Sequence, residues 1–166
     1  MKWQELKKPL TPWGYAKLAE EHRELLEEQR PKVVEGIAIA AAEGDRSENA
    51  EYIYGKKRLR EIDKRLRYLT SLIDDVQIVN PENYKSDLVF FGATVALRFD
   101  DGREVSYAIV GAGECDADKG TISWKSPLAF SLRDKKAGDF VEFMRPKGET
   151  EVEILSITYK SLADKF

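Results

Sequence analysis

Two periodicities divide the chain. Over the first half, apolar and small residues return every three or four positions, the spacing of a buried helix face. Thr11 can cap a first helix, and Pro12 suits its first position. Leu18, His22, Leu25, Gln29, Val33, Ile37 and Ala40 then recur at steps of three or four. The consecutive steps of four between Leu25 and Ile37 suggest a local stutter. Pro31 lies inside the pattern and predicts a kink or local break. A second helix is more regular. Tyr52, Gly55, Leu59, Ile62, Leu66, Leu69, Ile73 and Val76 alternate steps of three and four, a heptad seam. The EGDRSE link between the helices is short, so they must run antiparallel. The predicted object is a helical hairpin, a coiled coil with its turn at Gly44 to Ser47. Arms of roughly 30 residues, at about 1.5 Å per residue, give a length on the order of 45 Å.

The second half changes period after the polar, turn-rich stretch NPENYKSD. LVFFGATVALRF, DDG and REVSYAIV read as strand, hairpin turn and strand. TISWK is a further short strand. SPLAFSLRD predicts a short helix capped by Ser126, with Pro127 at its first position. FVEFM, the RPKGE turn and TEVEILSITY predict a final hairpin. The expected fold class is α+β: a helical hairpin over residues 1–80, then an antiparallel sheet with a short helix packed on it over 81–166. The residues before Thr11, Trp3 among them, read as a flexible lead-in.

Composition narrows the chemistry. The chain has 166 residues, a net charge of −3 and a single cysteine, Cys115. An internal disulfide is impossible, and a reducing, cytoplasmic setting fits. No apolar run approaches the roughly 18 residues needed to span a bilayer. One cysteine and one histidine cannot build a Cys/His zinc site. His22 falls in the heptad pattern, where a nucleophilic centre is geometrically awkward. No GxxxxGK[ST] or GxGxxG phosphate loop is present.

Charge is unevenly placed. Glu20, Glu21, Glu24, Glu27, Glu28, Glu35 and Glu43 make the first arm acidic. Lys56, Lys57, Arg58, Arg60, Lys64, Arg65 and Arg67 make the second basic. Lys57, Arg60, Lys64 and Arg67 fall three to four apart, with Lys56 beside the first. They could follow a phosphate backbone, or solvate the coil and pair with the opposing glutamates. At the turn, Asp45 and Glu48 could form a capping box, with Asp45 as N-cap and Glu48 at the third helical position. Alternatively, a slender acidic tip, preceded by Ala38, Ala40, Ala41 and Ala42, could carry hard oxygen ligands into a narrow channel. Mg²⁺ takes one or two carboxylates with water and phosphate oxygens, so such a tip could complete a site half built elsewhere. A bare hairpin has no pocket for acid–base catalysis of its own.

GDRSENAEY, followed by KKRLREIDKRLRYL, resembles the tip of the bacterial Gre transcript-cleavage factors. ISWKSPLAFSLRDKKAGD is similar to that family's ISxxSPLAxALLxKxxGD segment, and LTPWGYAKL to its TxxGYxKL opening. The likeness runs in order over about residues 11–159. The basic run and Ala41–Ala42 resemble the GreB branch more than GreA. The resemblance implies a coiled coil joined to an FKBP-like domain, and that fold does not by itself imply prolyl isomerase activity. It implies an accessory factor rather than an enzyme, most simply a monomer, that binds backtracked bacterial RNA polymerase. Asp45 and Glu48 would hold a catalytic Mg²⁺ shared with the polymerase, which cleaves its own extruded nascent RNA. Arg46, Asn49 and Tyr52 would support the tip. Lys56, Lys57, Arg60, Lys64 and Arg67 would contact the displaced RNA, and Ser126, Pro127 and Leu128 would dock on the polymerase. Phe130 and Arg133 depart from the family's frequent Arg and Leu, and Glu43 adds an acid beside the turn. The rival readings are an inhibitory homologue that occupies the same channel without promoting cleavage, and a plain coiled-coil interaction module.

Overall fold

A computed structural model describes residues 1–44 and 48–166. The chain divides into two units: Ala16–Asp74, and Met1–Tyr15 together with Asp75–Phe166.

The first unit is the helical hairpin. Helix α1 (Pro12–Glu24) enters it and passes through a π turn (Leu25–Gln29) into α2 (Arg30–Ala42). Helix α3 (Ala50–Ile73) returns. The interruption expected at Pro31 is this π turn. Pro31 has no N–H to donate, and it follows a widened turn in which the Arg30 N–H donates to the Leu25 carbonyl. The extra residue is absorbed where the seam shows its steps of four. The expected seam residues Leu18, Leu25 and Ala40 are buried, as are Ile62, Leu66 and Leu69 opposite. His22 is half-buried, with Nε2 3.2 Å from the Thr70 hydroxyl, which suits a structural histidine.

Polar pairs between the arms fix their register. Arg65 reaches Glu21 with two bonds of 2.8 and 2.9 Å. Arg30 reaches Asp63 at 2.8 Å, and Arg58 reaches Gln29 at 2.9 Å. The guanidinium of Arg30 holds the Asp63 carboxyl below the usual carboxylate range, and Arg65 does the same to Glu21. Solvent screens exposed pairs of this kind, so they contribute little and most of the stability comes from the seam.

Two glycines within this unit should respond oppositely to alanine. A β-carbon on Gly55 would lie 2.8 Å from Ile37 Cγ1, so the arms approach closely there because no side chain intervenes. A β-carbon on Gly36 would meet nothing within 4 Å. Gly36→Ala is expected to raise stability by about 0.5–1 kcal/mol through helix propensity. Gly55→Ala should lower it by roughly 1–3 kcal/mol through overpacking. Thermal melts of the two variants check both signs.

The second unit holds a five-stranded sheet in the order β5-β4-β3-β7-β6. Its strands are β3 (Thr94–Phe99), β4 (Glu104–Val110), β5 (Thr121–Ser123), β6 (Phe140–Arg145) and β7 (Gly148–Thr158). Four of them pair antiparallel, as expected from their hairpin turns, but β5 runs parallel to β4. A tight turn would have forced antiparallel pairing. Residues 111–120 instead form a longer return containing a 3₁₀ turn at Ala117–Lys119. The β3–β7 register shifts between Ala96 and Leu97, a bulge that leaves Leu155 unopposed. Helix α4 (Pro127–Leu132) buries Ala129 and Leu132 in a core with Phe91, Val95, Leu97, Ile109, Val152 and Ile154.

The expected flexible lead-in is instead part of this core. Trp3 is 5% exposed, meets Phe90 edge to face at 5.3 Å, and donates its indole N–H to the Val89 carbonyl at 3.2 Å. Leu6 is buried beside it, and β1 (Pro9–Leu10) pairs in parallel with β2 (Gln77–Ile78). An indole left in water would forgo a large apolar burial, and here its one polar group also finds a partner.

Thr11 caps α1 as expected: its Oγ1 accepts the Gly14 N–H at 3.1 Å. Its surroundings were not anticipated. The Glu114 carboxylate accepts the Thr11 N–H at 2.9 Å, the Thr11 hydroxyl at 3.2 Å and the Gly111 N–H at 3.0 Å. A β-carbon on Gly14 would lie 1.8 Å from Glu114 Oε2, so only glycine leaves room for the carboxylate.

Candidate functional site

Among the described residues, small side chains and the amide of Asn49 shape the turn end of the hairpin. Helix α2 ends at Ala42, with Glu43 as its C-cap, and the Glu43 N–H donates to the Ala40 carbonyl at 3.2 Å. Gly44 follows at φ +140°, where any side chain would be strained. Ala40 is buried, whereas Ala38 and Ala42 are exposed.

The capping box expected of Asp45 and Glu48 does not include Glu48. Helix α3 starts at Ala50 and its N-cap is Asn49, whose Oδ1 accepts the Tyr52 N–H at 3.1 Å. The Asn49 Nδ2 donates to the Ala40 carbonyl at 2.8 Å, tying the end of one arm to the start of the other. An aspartate could accept at such a cap but has no hydrogen to donate, so it could not make the second bond. Glu48 stands one position ahead of the cap and is exposed, with no hydrogen bond or ion pair among the described residues. Asp45 and Arg46, also expected at the site, lie outside the described residues. Tyr52 is half-buried on the seam.

Lys56, Lys57, Arg60, Lys64 and Arg67 are all exposed on the face of α3 away from its buried seam. The cross-arm pairs described above use Arg58, Arg65 and Arg30 instead. None of the five makes a hydrogen bond or ion pair among the described residues, although the charge of Arg67 reaches Asp63. The arrangement therefore leaves a continuous cationic stripe that begins about two turns beyond the cap.

In the second unit, the Ser126 hydroxyl accepts the Ala129 N–H at 3.3 Å as the N-cap of α4. Pro127 is exposed, and Leu128 is half-buried against the core. No three Asp, Glu, His or Cys side chains converge among the described residues. Glu48 is a hard, exposed oxygen donor. It fits a magnesium ion whose other ligands come from elsewhere, and it could not hold one alone. No helix among the described residues is long and apolar enough to cross a membrane.

A helical hairpin and a separate α+β unit are the two parts to be matched. The family description "Transcription elongation factor, N-terminal" matches residues 8–78, and "Transcription elongation factor, GreA/GreB, C-term" matches residues 84–159. The transcription elongation factor GreB of Neisseria meningitidis serogroup B is 47% identical over 156 residues, covering 93% of this chain and 96% of that protein. The GreA of Nitratiruptor is 43% identical over 159 residues, covering 95% and 97%. The crystal structure of GreA factor homolog 1 of Thermus thermophilus covers 90% of this chain and 97% of that chain, at 21% identity and a TM-score of 0.42, a likeness too loose to bear on function. The chain belongs to the GreA/GreB family of transcription elongation factors, and within it is GreB-like.

Proposed function

We propose that this factor binds bacterial RNA polymerase, enters its secondary channel with the turn end of the hairpin, and stimulates the polymerase's own cleavage of backtracked RNA. It is an accessory factor acting as a cytoplasmic monomer, with no cleavage activity apart from the polymerase. The observation that carries this reading is the place of Glu48: Asn49 caps the helix, and among the described residues the exposed Glu48 carboxylate makes no hydrogen bond or ion pair.

Glu48, with Asp45, would hold a Mg²⁺ ion shared with the polymerase. When bound, that ion supplies Lewis acidity for two-metal phosphodiester hydrolysis. Asn49 holds the two arms together at their end, which keeps Glu48 at the tip. Arg46 and Tyr52 would assist at the tip. The stripe of Lys56, Lys57, Arg60, Lys64 and Arg67 contacts phosphates of the extruded RNA. Ser126, Pro127 and Leu128 shape the docking loop, Ser126 and Leu128 through its fold and Pro127 at its surface.

The deciding experiment adds the factor and Mg²⁺ to stalled, backtracked elongation complexes and follows RNA length. Shortened transcripts that resume synthesis support the proposal. A block without shortening supports an inhibitory homologue, and no effect on either supports a plain interaction module. The stripe has its own expected signature. Lys57→Ala with Arg60→Ala should reduce cleavage most on long backtracks and make the remaining activity less sensitive to salt, since fewer phosphate contacts release fewer counterions. Equal loss on short and long backtracks would refute the assignment.

A further inference from the structure

The sheet of the second unit is open on its outer face along β6 and β7. Strand β6 ends the sheet order, so one of its edges has no strand beside it among the described residues. Its sequence, FVEFMR, lacks the lysine or proline that commonly blunts such an edge. Alternation turns Val141 and Phe143 toward the core and Phe140, Glu142 and Met144 outward. Phe140 is 63% exposed and Met144 66%. Opposite these three on β7 stand Glu153, Glu151 and Glu149. Glu142 therefore faces Glu151 directly, a like-charge pair that destabilises a sheet. Arg98, next in the Phe140 row, is taken up by Glu104 and Glu153 at 3.0 and 3.3 Å. Glu142, Glu149 and Glu151 make no hydrogen bond or ion pair among the described residues. A recess of about 130 Å³ opens beside Phe140, Asp100, Glu151 and Glu153. The face thus joins exposed apolar side chains to carboxylates that have no cation.

We propose that this face receives the cationic stripe of a second copy of the chain. Lysine and arginine stems lie over Phe140 and Met144, and their charged heads meet Glu142, Glu149 and Glu151. A head that enters the recess also gains the face of the Phe140 ring. Complementarity of charge and length selects this occupant. Lys56, Lys57, Arg60, Lys64 and Arg67 are exposed and make no ion pair among the described residues, so the same chain carries both halves of the contact. Lys57 to Arg67 spans about 15 Å of helix, and Phe140 to Met144 about 13 Å of strand. Pairing of β6 with β6 of another copy is disfavoured, because it would bring Glu142 and Glu151 of both copies together. Nucleic acid is repelled by the same carboxylates. The contact joins unlike surfaces, so association continues past a dimer unless a two-fold arrangement closes it. It does not depend on the functional reading above; on that reading it hides the stripe, and the dissociated chain is the form that acts.

The test is sedimentation velocity of the full chain over a wide range of concentration, without polymerase. At low salt the average sedimentation coefficient should rise with concentration, and at about 1 M salt it should not. Glu142→Lys with Glu151→Lys should weaken the association roughly ten-fold or more, and so should Lys57→Glu with Arg60→Glu. Mixing the two reversed variants should restore it, because the new lysines of one then meet the new glutamates of the other. Phe140→Ala should weaken it without changing its salt dependence. All these side chains are exposed, and far-ultraviolet circular dichroism verifies that the variants fold. A parent chain that stays monomeric at every concentration overturns the proposal. Association that survives both reversals, or that the mixture fails to restore, places the contact elsewhere and overturns it too. If the chain stays monomeric but binds an oligolysine peptide, and Glu142→Lys with Glu151→Lys abolishes that binding, the occupant is a basic segment of another protein and self-association fails.

Discussion

Glu48→Gln is expected to reduce stimulated transcript cleavage by roughly 100-fold or more, the scale on which a single group that stabilises developing charge acts, while leaving polymerase binding intact. Asp45→Asn should do the same, and the pair together little more, because both act on one ion. The fold makes the test a clean one for Glu48. Asn49 is the cap, so Glu48→Gln should alter hairpin stability by less than about 0.5 kcal/mol. Asn49→Ala should instead cost roughly 1–2 kcal/mol, because it removes both the bond to the Tyr52 N–H and the bond to the Ala40 carbonyl. Asn49→Asp keeps the first bond and loses the second, so its melt should fall between the two. Transcript length in stalled complexes gives one readout and thermal melts monitored by circular dichroism the other. Full cleavage by Glu48→Gln, together with a melt lowered by about 1 kcal/mol, would return Glu48 to a capping role and sink the chemical one.

What could be read from the sequence depended on whether the determining interaction was local. The seam was legible because a heptad records burial in the spacing itself: Leu25, Ile62, Leu66 and Leu69 lie where the repeat puts them. The caps Thr11 and Ser126 were legible because a hydroxyl before a helix acts on an N–H three residues ahead. The tip cap was misplaced because D-R-S-E fits the local rule. Asn49 instead satisfies a longer one, reaching nine residues back to Ala40. The π turn left a trace, the run of steps of four, which Pro31 alone would have been taken to explain. The burial of Trp3 left almost none, since its partners Val89 and Phe90 lie more than eighty residues away. The parallel edge strand β5 was missed for a similar reason: a short apolar run gives strand type but not direction. A groove in the second unit follows the same logic. Trp3 lies at the start of the chain and Phe130 in α4, and only the fold brings them to one groove.

The stability of this chain should fall as pH rises from about 5 to about 7.5, and Glu114 is the reason. Burial pushes its carboxyl up to about 7 from an ordinary 4.5, even though hydrogen bonds from Gly111 and Thr11 pull the other way. Between those two values the folded chain keeps a proton that the unfolded chain has released. The native state then binds more protons, so the unfolding free energy declines with rising pH across that window and is flat above it. At about 1.4 kcal/mol per unit, the displacement corresponds to at most about 3.5 kcal/mol. Glu21 and Asp63 act in the opposite sense and elsewhere. Their carboxyls are held low by Arg65 and Arg30, so their contribution is lost only as pH falls below the usual carboxylate range. Denaturant unfolding at intervals of half a pH unit should therefore show a maximum near pH 5. Glu114→Gln should abolish the decline above it, whatever it does to absolute stability. Gly14→Ala forces a methyl group onto the Glu114 carboxylate, so it should destabilise by roughly 2–4 kcal/mol and shrink the same slope by displacing the acid from its enclosure. A pH profile that is identical in the parent chain and in Glu114→Gln would show that the carboxylate stays ionised throughout. Its three donors would then outweigh its burial.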